Sequence, residues 1–141
     1  MSQHLAVSLS CRFDVGSWSE QLLQQTEGAG ELKRASIVNA LSGSLEGQGW
    51  LEYQLLYPAD EGGEVSFIGY ERVVARWGER QGSLVLRHDG VYSAAAGVSG
   101  SLRVMPGSGS GDFAGLSGDG RIVARAGEHG GEYLLTLQYR D

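Results

Sequence analysis

The chain of 141 residues carries 17 acidic and 11 basic side chains, for a net charge of −6, and is 41% hydrophobic with 23 glycines. A chain of this length and balance is one globular domain, residues 1–141, that buries roughly 70% of the surface its unfolded form exposes. A disordered chain is excluded, a collagen-like one fails for want of a three-residue glycine period, and the net charge of −6 with ten arginines scattered singly argues against a nucleic-acid partner, because phosphates need clustered cations.

Side-chain alternation of period two runs through most of the sequence and predicts strands. From Val7 to Val15 the apolar positions are the odd ones (Val7, Leu9, Cys11, Phe13, Val15). Residues 17–31, SWSEQLLQQTEGAGE, break the alternation and read as a loop or a short helix. Residues 34–42 form a less regular strand with Ala35, Ile37 and Leu41 on one face and Asn39 among them. A third strand carries Leu51, Tyr53, Leu55 and Tyr57, and PADEGGE (58–64) turns the chain. The fourth has Val65, Phe67, Gly69, Glu71, Val73, Ala75 and Trp77 on its drier face; the fifth has Leu84, Leu86, His88, Gly90 and Tyr92. Shorter strands follow at about 98–105 and 120–126, and the last presents Tyr133, Leu135, Leu137 and Tyr139.

Eight strands with one apolar face each, joined in sequence by short turns, predict an all-β fold. An eight-stranded antiparallel meander closed into a β-barrel hides every edge; a two-sheet sandwich is the alternative. Eight strands enclose an interior that side chains fill or that holds one small ligand. No apolar run approaches a bilayer span, and the start, MSQHLAVSLSCRF, lacks the basic head and apolar core of a signal peptide. The expectation is a cytoplasmic protein with no membrane partner.

Four ordered motifs, GSLEGQG (43–49), SFIGYER (66–72), GSLVLRHDG (82–90) and PGSGSGDFAGLSGDG (106–120), make the chain similar to the bacterial domain-of-unknown-function family numbered 3224. The resemblance covers nearly the whole chain. It implies a calycin-like eight-stranded barrel of the allene-oxide-cyclase shape, in agreement with the meander. It implies no activity: cyclases use barrels of this shape, but fold analogy does not carry chemistry.

The stretch from Pro106 to Gly120 contains Gly109-Ser110-Gly111-Asp112-Phe113-Ala114, which fits the G-x-G-x-x-A form of a dinucleotide fingerprint. Such a fingerprint needs a following helix within a parallel βαβ unit. Here Gly115, Gly118 and Gly120 leave room for one helical turn at most, so the stretch reads as a corner between barrel strands. His4, His88 and His129 do not pair at ligand spacing and Cys11 is alone, whereas zinc takes three or four N or S ligands. No cofactor and no metal are expected.

One constellation remains. With Glu79-Arg80 as the tip of the fourth hairpin, Glu71 faces His88, Gly69 faces Gly90, Val73 faces Leu86 and Ala75 faces Leu84. A slip by two leaves Glu71 and His88 as diagonal neighbours; a slip by one turns the apolar set to water. A carboxylate and an imidazole thus meet inside the barrel as candidate catalytic groups. Gly69 and Gly90 leave space beside them for a ligand or for the ring of Tyr53, and Tyr53, Asn39, Cys11, Tyr92 and Tyr133 have the parity to line the same interior. A self-satisfied polar network that fixes the barrel's register accounts for the same residues.

Two functions follow. In one, the barrel binds a small apolar or amphipathic molecule. In the other, it is a cofactor-independent isomerase or cyclase in which Glu71 or His88 moves a proton and Tyr53 orients the substrate, since a carboxylate beside an imidazole gives a base poised near neutral pH. A filled barrel serving only as the subunit of a homo-oligomer is a third arrangement. Cavity volume discriminates among them.

Overall fold

The computed structural model describes residues 6–60 and 62–139. These contain nine strands: β1 (Val7–Thr26), β2 (Gly30–Gly43), β3 (Glu46–Tyr57), β4 (Val65–Trp77), β5 (Arg80–Ser93), β6 (Gly97–Val104), β7 (Ser110–Gly111), β8 (Leu116–Ala124) and β9 (Gly130–Tyr139). All pairings are antiparallel. They run in the order β4-β3-β2-β1-β9-β8-β6-β5, and a further β4–β5 pairing closes the ring. The eight long strands therefore form the expected meander barrel. The ninth, β7, is a two-residue pairing with Gly82 and Ser83 of β5 inside the β6–β8 connection.

Alternation is strictest on β4, where Val65, Phe67, Gly69, Glu71, Val73 and Ala75 are buried and every residue between them is exposed. The inward parity read from the sequence holds on β3, β5 and β9 as well.

Three expectations are corrected. Residues 17–26 are neither loop nor helix: they continue β1, pair with β2, and form an arm beyond the end of β9's pairing at Asp14. Their side chains are exposed on both faces, so no apolar stripe marks the strand. Register shifts at Gly16 and Leu23 change which parity faces inward, as β-bulges do. Second, the β4–β5 hairpin turns at Gly78-Glu79, not at Glu79-Arg80, since Trp77 pairs with Arg80. Gly78 has φ 62°, the conformation for which a two-residue hairpin places glycine first. Glu71 is consequently opposite Leu86, Gly69 opposite His88, Val73 opposite Leu84 and Ala75 opposite Gly82. Third, β8, the seventh strand of the ring, begins at Leu116 rather than near residue 120.

The two barrel ends differ. At one, the 43–46 turn and the 105–115 connection fold inward, burying Leu45 and Phe113 almost completely within the apolar core. Each large apolar side chain buried in this way stabilises by about 1.5–3 kcal/mol. At the other end the arm stands over an opening into the interior.

Candidate functional site

Across the middle of the barrel runs a polar layer centred on Glu71. Its Oε1 accepts hydrogen bonds from Tyr133 Oη (2.8 Å) and from His88 Nε2 (3.0 Å). Its Oε2 accepts from Asn39 Nδ2 at 3.1 Å. Asn39 Nδ2 also reaches Tyr133 Oη, 3.3 Å away. With Nε2 donating to Glu71, His88 Nδ1 is left to accept the Tyr53 hydroxyl, 2.8 Å away. Glu71 and His88 are both fully buried. Burial raises the pKa of the Tyr53 and Tyr133 hydroxyls well above the usual value, and the charge of Glu71 raises it further. Aromatic rings flank this layer: Phe13 stacks on Tyr133 with centroids 4.8 Å apart, and Phe67 lies tilted against Tyr53 at 4.8 Å.

Above the layer, toward the open end, lies a cavity of about 440 Å³. Its walls are mostly apolar, with Phe13, Ile37, Leu51, Phe67 and Ile122 prominent; Asn39, Tyr53 and Tyr133 border it from the polar layer, and Tyr57, Tyr92, Glu128 and His129 line it as well. Glu71 and His88 do not border it. They sit behind the three bordering residues of the layer, so any influence they exert on a cavity occupant passes through Tyr53, Asn39 or Tyr133.

The rim is built by Trp18, Tyr57, Tyr92 and His129. Glu20, on the inner side of the arm, accepts from Trp18 Nε1 (3.0 Å) and from Tyr57 Oη (2.8 Å). Lys33 lies 3.5 Å from Glu20 and over the Tyr57 ring. Burial, and then the bond to Glu20, raises the pKa of Tyr57. Of these three partners Trp18 is on the arm itself, and Lys33 of β2 and Tyr57 of β3 tie the Glu20 carboxylate to the neighbouring strands.

Of the residues singled out from the sequence, Glu71, His88, Tyr53, Asn39 and Tyr133 form one hydrogen-bonded network. Glu71 and His88 meet as diagonal neighbours rather than as a directly opposed pair. Tyr92 stands on the rim, 41% exposed. Cys11 faces inward but lies on the sealed side, its Sγ–H directed at Leu45 O (3.5 Å). Burial raises its thiol from 9.0 to about 11.

The two glycines leave no open space for a ligand; at Gly69 the Tyr53 ring is among the groups that take it. A methyl group on Gly69 would run into the backbone of Glu52 and the Tyr53 ring; one on Gly90 would meet Ser99 O and the Phe67 ring. The glycine that serves the site is a different one. A side chain on Gly49 would collide with the Glu71 carboxyl group, so that carboxyl lies over bare β3 backbone. The sequence does carry a signal for it, since glycine in a strand interior marks a close approach. The rim cluster of Trp18, Glu20, Lys33 and Tyr57 carries no such signal, because the shifts at Gly16 and Leu23 hide which arm residues face inward.

The glycine-rich stretch is a corner: β6 leads through a turn to β7, then through Asp112–Gly115 to β8, with no helix following. Among the described residues, no three His, Cys, Asp or Glu side chains converge as metal ligands do; His4 lies outside them. No helix among them is long and apolar enough to cross a membrane.

The structure defines a closed all-β barrel, sealed at one end and opening at the other onto a Glu–His–Tyr layer. The sequence matches the family described as "Protein of unknown function (DUF3224)" over residues 9–139, and the chain belongs to that family. It is similar to the crystal structure of a protein of unknown function from the same family of Shewanella oneidensis MR-1. The TM-score is 0.72 and the identity 23%, over 99% of this chain and 100% of that one. No curated protein matches.

Proposed function

We propose that the protein binds one small apolar or amphipathic molecule in the upper half of its barrel. The cavity carries this reading: about 440 Å³ falls within the roughly 300–1,000 Å³ of small-molecule sites, which are likewise mostly apolar with a few placed polar groups. The reading needs no cofactor, nucleic acid or membrane, and it suits a cytoplasmic protein whose one cysteine stays a thiol. The test is fluorescence titration with N-phenyl-1-naphthylamine, whose emission rises in apolar surroundings. Saturable binding by the native protein is expected, and Ala124→Trp, which fills the cavity from its β8 wall, should abolish it. Equal enhancement by the two proteins would place the dye elsewhere and remove the support.

A second reading, a cofactor-independent isomerase or cyclase, is favoured by the Tyr53–His88–Glu71 chain, since Tyr53 borders the cavity and could pass a proton inward. Because neither His88 nor Glu71 reaches the cavity, direct abstraction by either is disfavoured. Turnover of a bound ketone, followed as deuterium uptake from heavy water and lost in Tyr53→Phe, is the observation that would replace binding by catalysis.

A further inference from the structure

We infer that the arm is where a second copy of this chain docks: residues 17–26 of β1 present a free strand edge, and two such edges join antiparallel across a two-fold axis to make a dimer. The inference stands apart from what the cavity binds.

β1 has a strand on both sides only as far as Asp14, where its pairing with β9 ends; from Ser17 to Thr26 it is bonded to β2 alone. The loop before β9 reaches just beyond that point, through Val15 N–H to His129 O. Along the rest of the arm, no strand among the described residues takes up the backbone groups that point away from β2. The fold treats its other gap differently. Where β6 falls short of β5, Gln81 and Val85 donate to Asp112 Oδ2 and Ser108 Oγ, and Gly82 and Ser83 pair with β7. An uncovered edge is a template for another strand, and proteins that stay monomeric blunt it with lysine, proline or a cover. The arm edge, SWSEQLLQQT, contains no Lys, Arg or Pro, and Leu22 and Leu23 stand about half exposed on it.

Charge decides which strand fits. Glu20 is the one charged residue of the edge, and its carboxylate is held by Lys33 and Tyr57. A partner chosen by its charge has little to read there, whereas a second arm fits. Antiparallel pairing centred on Gln21, Leu22 or Leu23 sets Glu20 against Leu22, Gln24 or Thr26 of the other copy. No like charges then oppose each other, although each chain carries a net −6. The same pairing brings Leu22 and Leu23 of the two copies together, and apolar cross-strand contacts of this kind stabilise a ladder. A two-fold pairing consumes both edges at once and leaves none for a third chain, so association stops at the dimer. The shared ladder is short, so the dimer is a weak one that separates on dilution.

Sedimentation velocity of the native protein over a roughly hundredfold range of concentration is the test. The weight-average mass is expected to rise from one chain towards two and no further. Leu22→Lys, which sets like charges at the centre of the pairing, should stay monomeric where the native protein is dimeric. Trp50→Lys makes the same change in charge at an exposed apolar site on the outer face of β3, and it should dimerise as the native protein does. Should Leu22→Lys not fold, amide hydrogen exchange of the native protein decides: alternate amides of residues 17–26 should exchange severalfold more slowly in concentrated than in dilute solution. A native protein monomeric throughout, a dimer that survives Leu22→Lys, a dimer lost in Trp50→Lys, or arm amides that exchange equally fast at both concentrations would each overturn the inference. None of these outcomes bears on the cavity as a binding site.

Discussion

The two ends of the barrel are made from the same kind of hairpin and come out differently. At the sealed end the connections carry apolar side chains inward, Leu45 from the β2–β3 turn and Phe113 from the β6–β8 connection. At the open end the β1–β2 hairpin runs past the barrel as a two-sided exposed arm, and its inward residues, Trp18 and Glu20, hold one another rather than filling the interior. The difference lies in the connections and in β1, whose alternation stops at the open end. The ring of strands encloses a packed core below the Glu71 layer and a cavity above it. Stability is concentrated in the lower half, and adaptability to a ligand is left to the upper.

The largest expected effect tests the packed end. Phe113→Ala removes a fully buried ring and should cost about 3–5 kcal/mol by urea denaturation, as phenylalanine truncations in closed cores do. A loss below about 1 kcal/mol, within the range of surface substitutions, would mean that the 105–115 connection is not part of the core and would erase the contrast.

A second effect comes from pH. The Cys11 thiol titrates at about 11 in the folded protein against an ordinary 9.0, because burial disfavours the thiolate. A pKa raised on folding contributes stability that is fully present below pH 9 and is lost as pH rises to about 11. The loss is on the order of 2–3 kcal/mol, since each tenfold change in proton affinity is worth about 1.4 kcal/mol. Tyr53 and Tyr133, shifted the same way, add to it above pH 10. Urea midpoints measured between pH 8 and 11 should fall accordingly, and less steeply in Cys11→Ala. Rapid modification of native Cys11 by a water-soluble thiol reagent at pH 8 would show instead that the lower half opens.

Glu71→Gln probes the layer between the halves. The amide sets an N–H against donors from His88, Tyr133 or Asn39, and the cost should be on the order of 1–3 kcal/mol. Binding of N-phenyl-1-naphthylamine should weaken in parallel, because Asn39 and Tyr133 lose their anchor. A variant of native stability that no longer binds would assign the layer wholly to the ligand.

How far the sequence reveals this arrangement depends on whether a strand has one wet face. On β4 the alternation from Val65 to Ala75 places Glu71 inside, and His88 on β5 follows from the same parity. Both conclusions survive the two-residue error in register, since a shift of two preserves facing. That error is avoidable: Gly78 is the residue a tight hairpin puts first. The arm is not legible, because with water on both sides nothing selects alternating side chains, and the bulges at Gly16 and Leu23 reset the parity that the first half of β1 establishes. The cavity is illegible for another reason. Tyr53, Asn39 and Tyr133 have inward parity like their neighbours, and whether the space above them is filled depends on the loops at the two ends.

The smallest expected effect is at the open rim, and it sharpens the comparison most. Trp18 is 48% exposed, borders the cavity, pairs across the arm with Ile37 and donates to Glu20 at 3.0 Å. Its ring is half in water and its one polar bond is to an accessible carboxylate, so Trp18→Ala should lower stability by about 1 kcal/mol or less. The same change takes away one side of the mouth and the donor that helps hold Glu20 in place. Release of N-phenyl-1-naphthylamine, followed by stopped-flow dilution, should therefore quicken severalfold while the urea midpoint barely moves. Trp18→Ala and Phe113→Ala then differ in kind, one altering exchange and the other stability. If Trp18→Ala unfolds the protein as readily as Phe113→Ala does, the arm belongs to the same cooperative unit as the sealed end, and the upper half is not the adaptable part of the molecule.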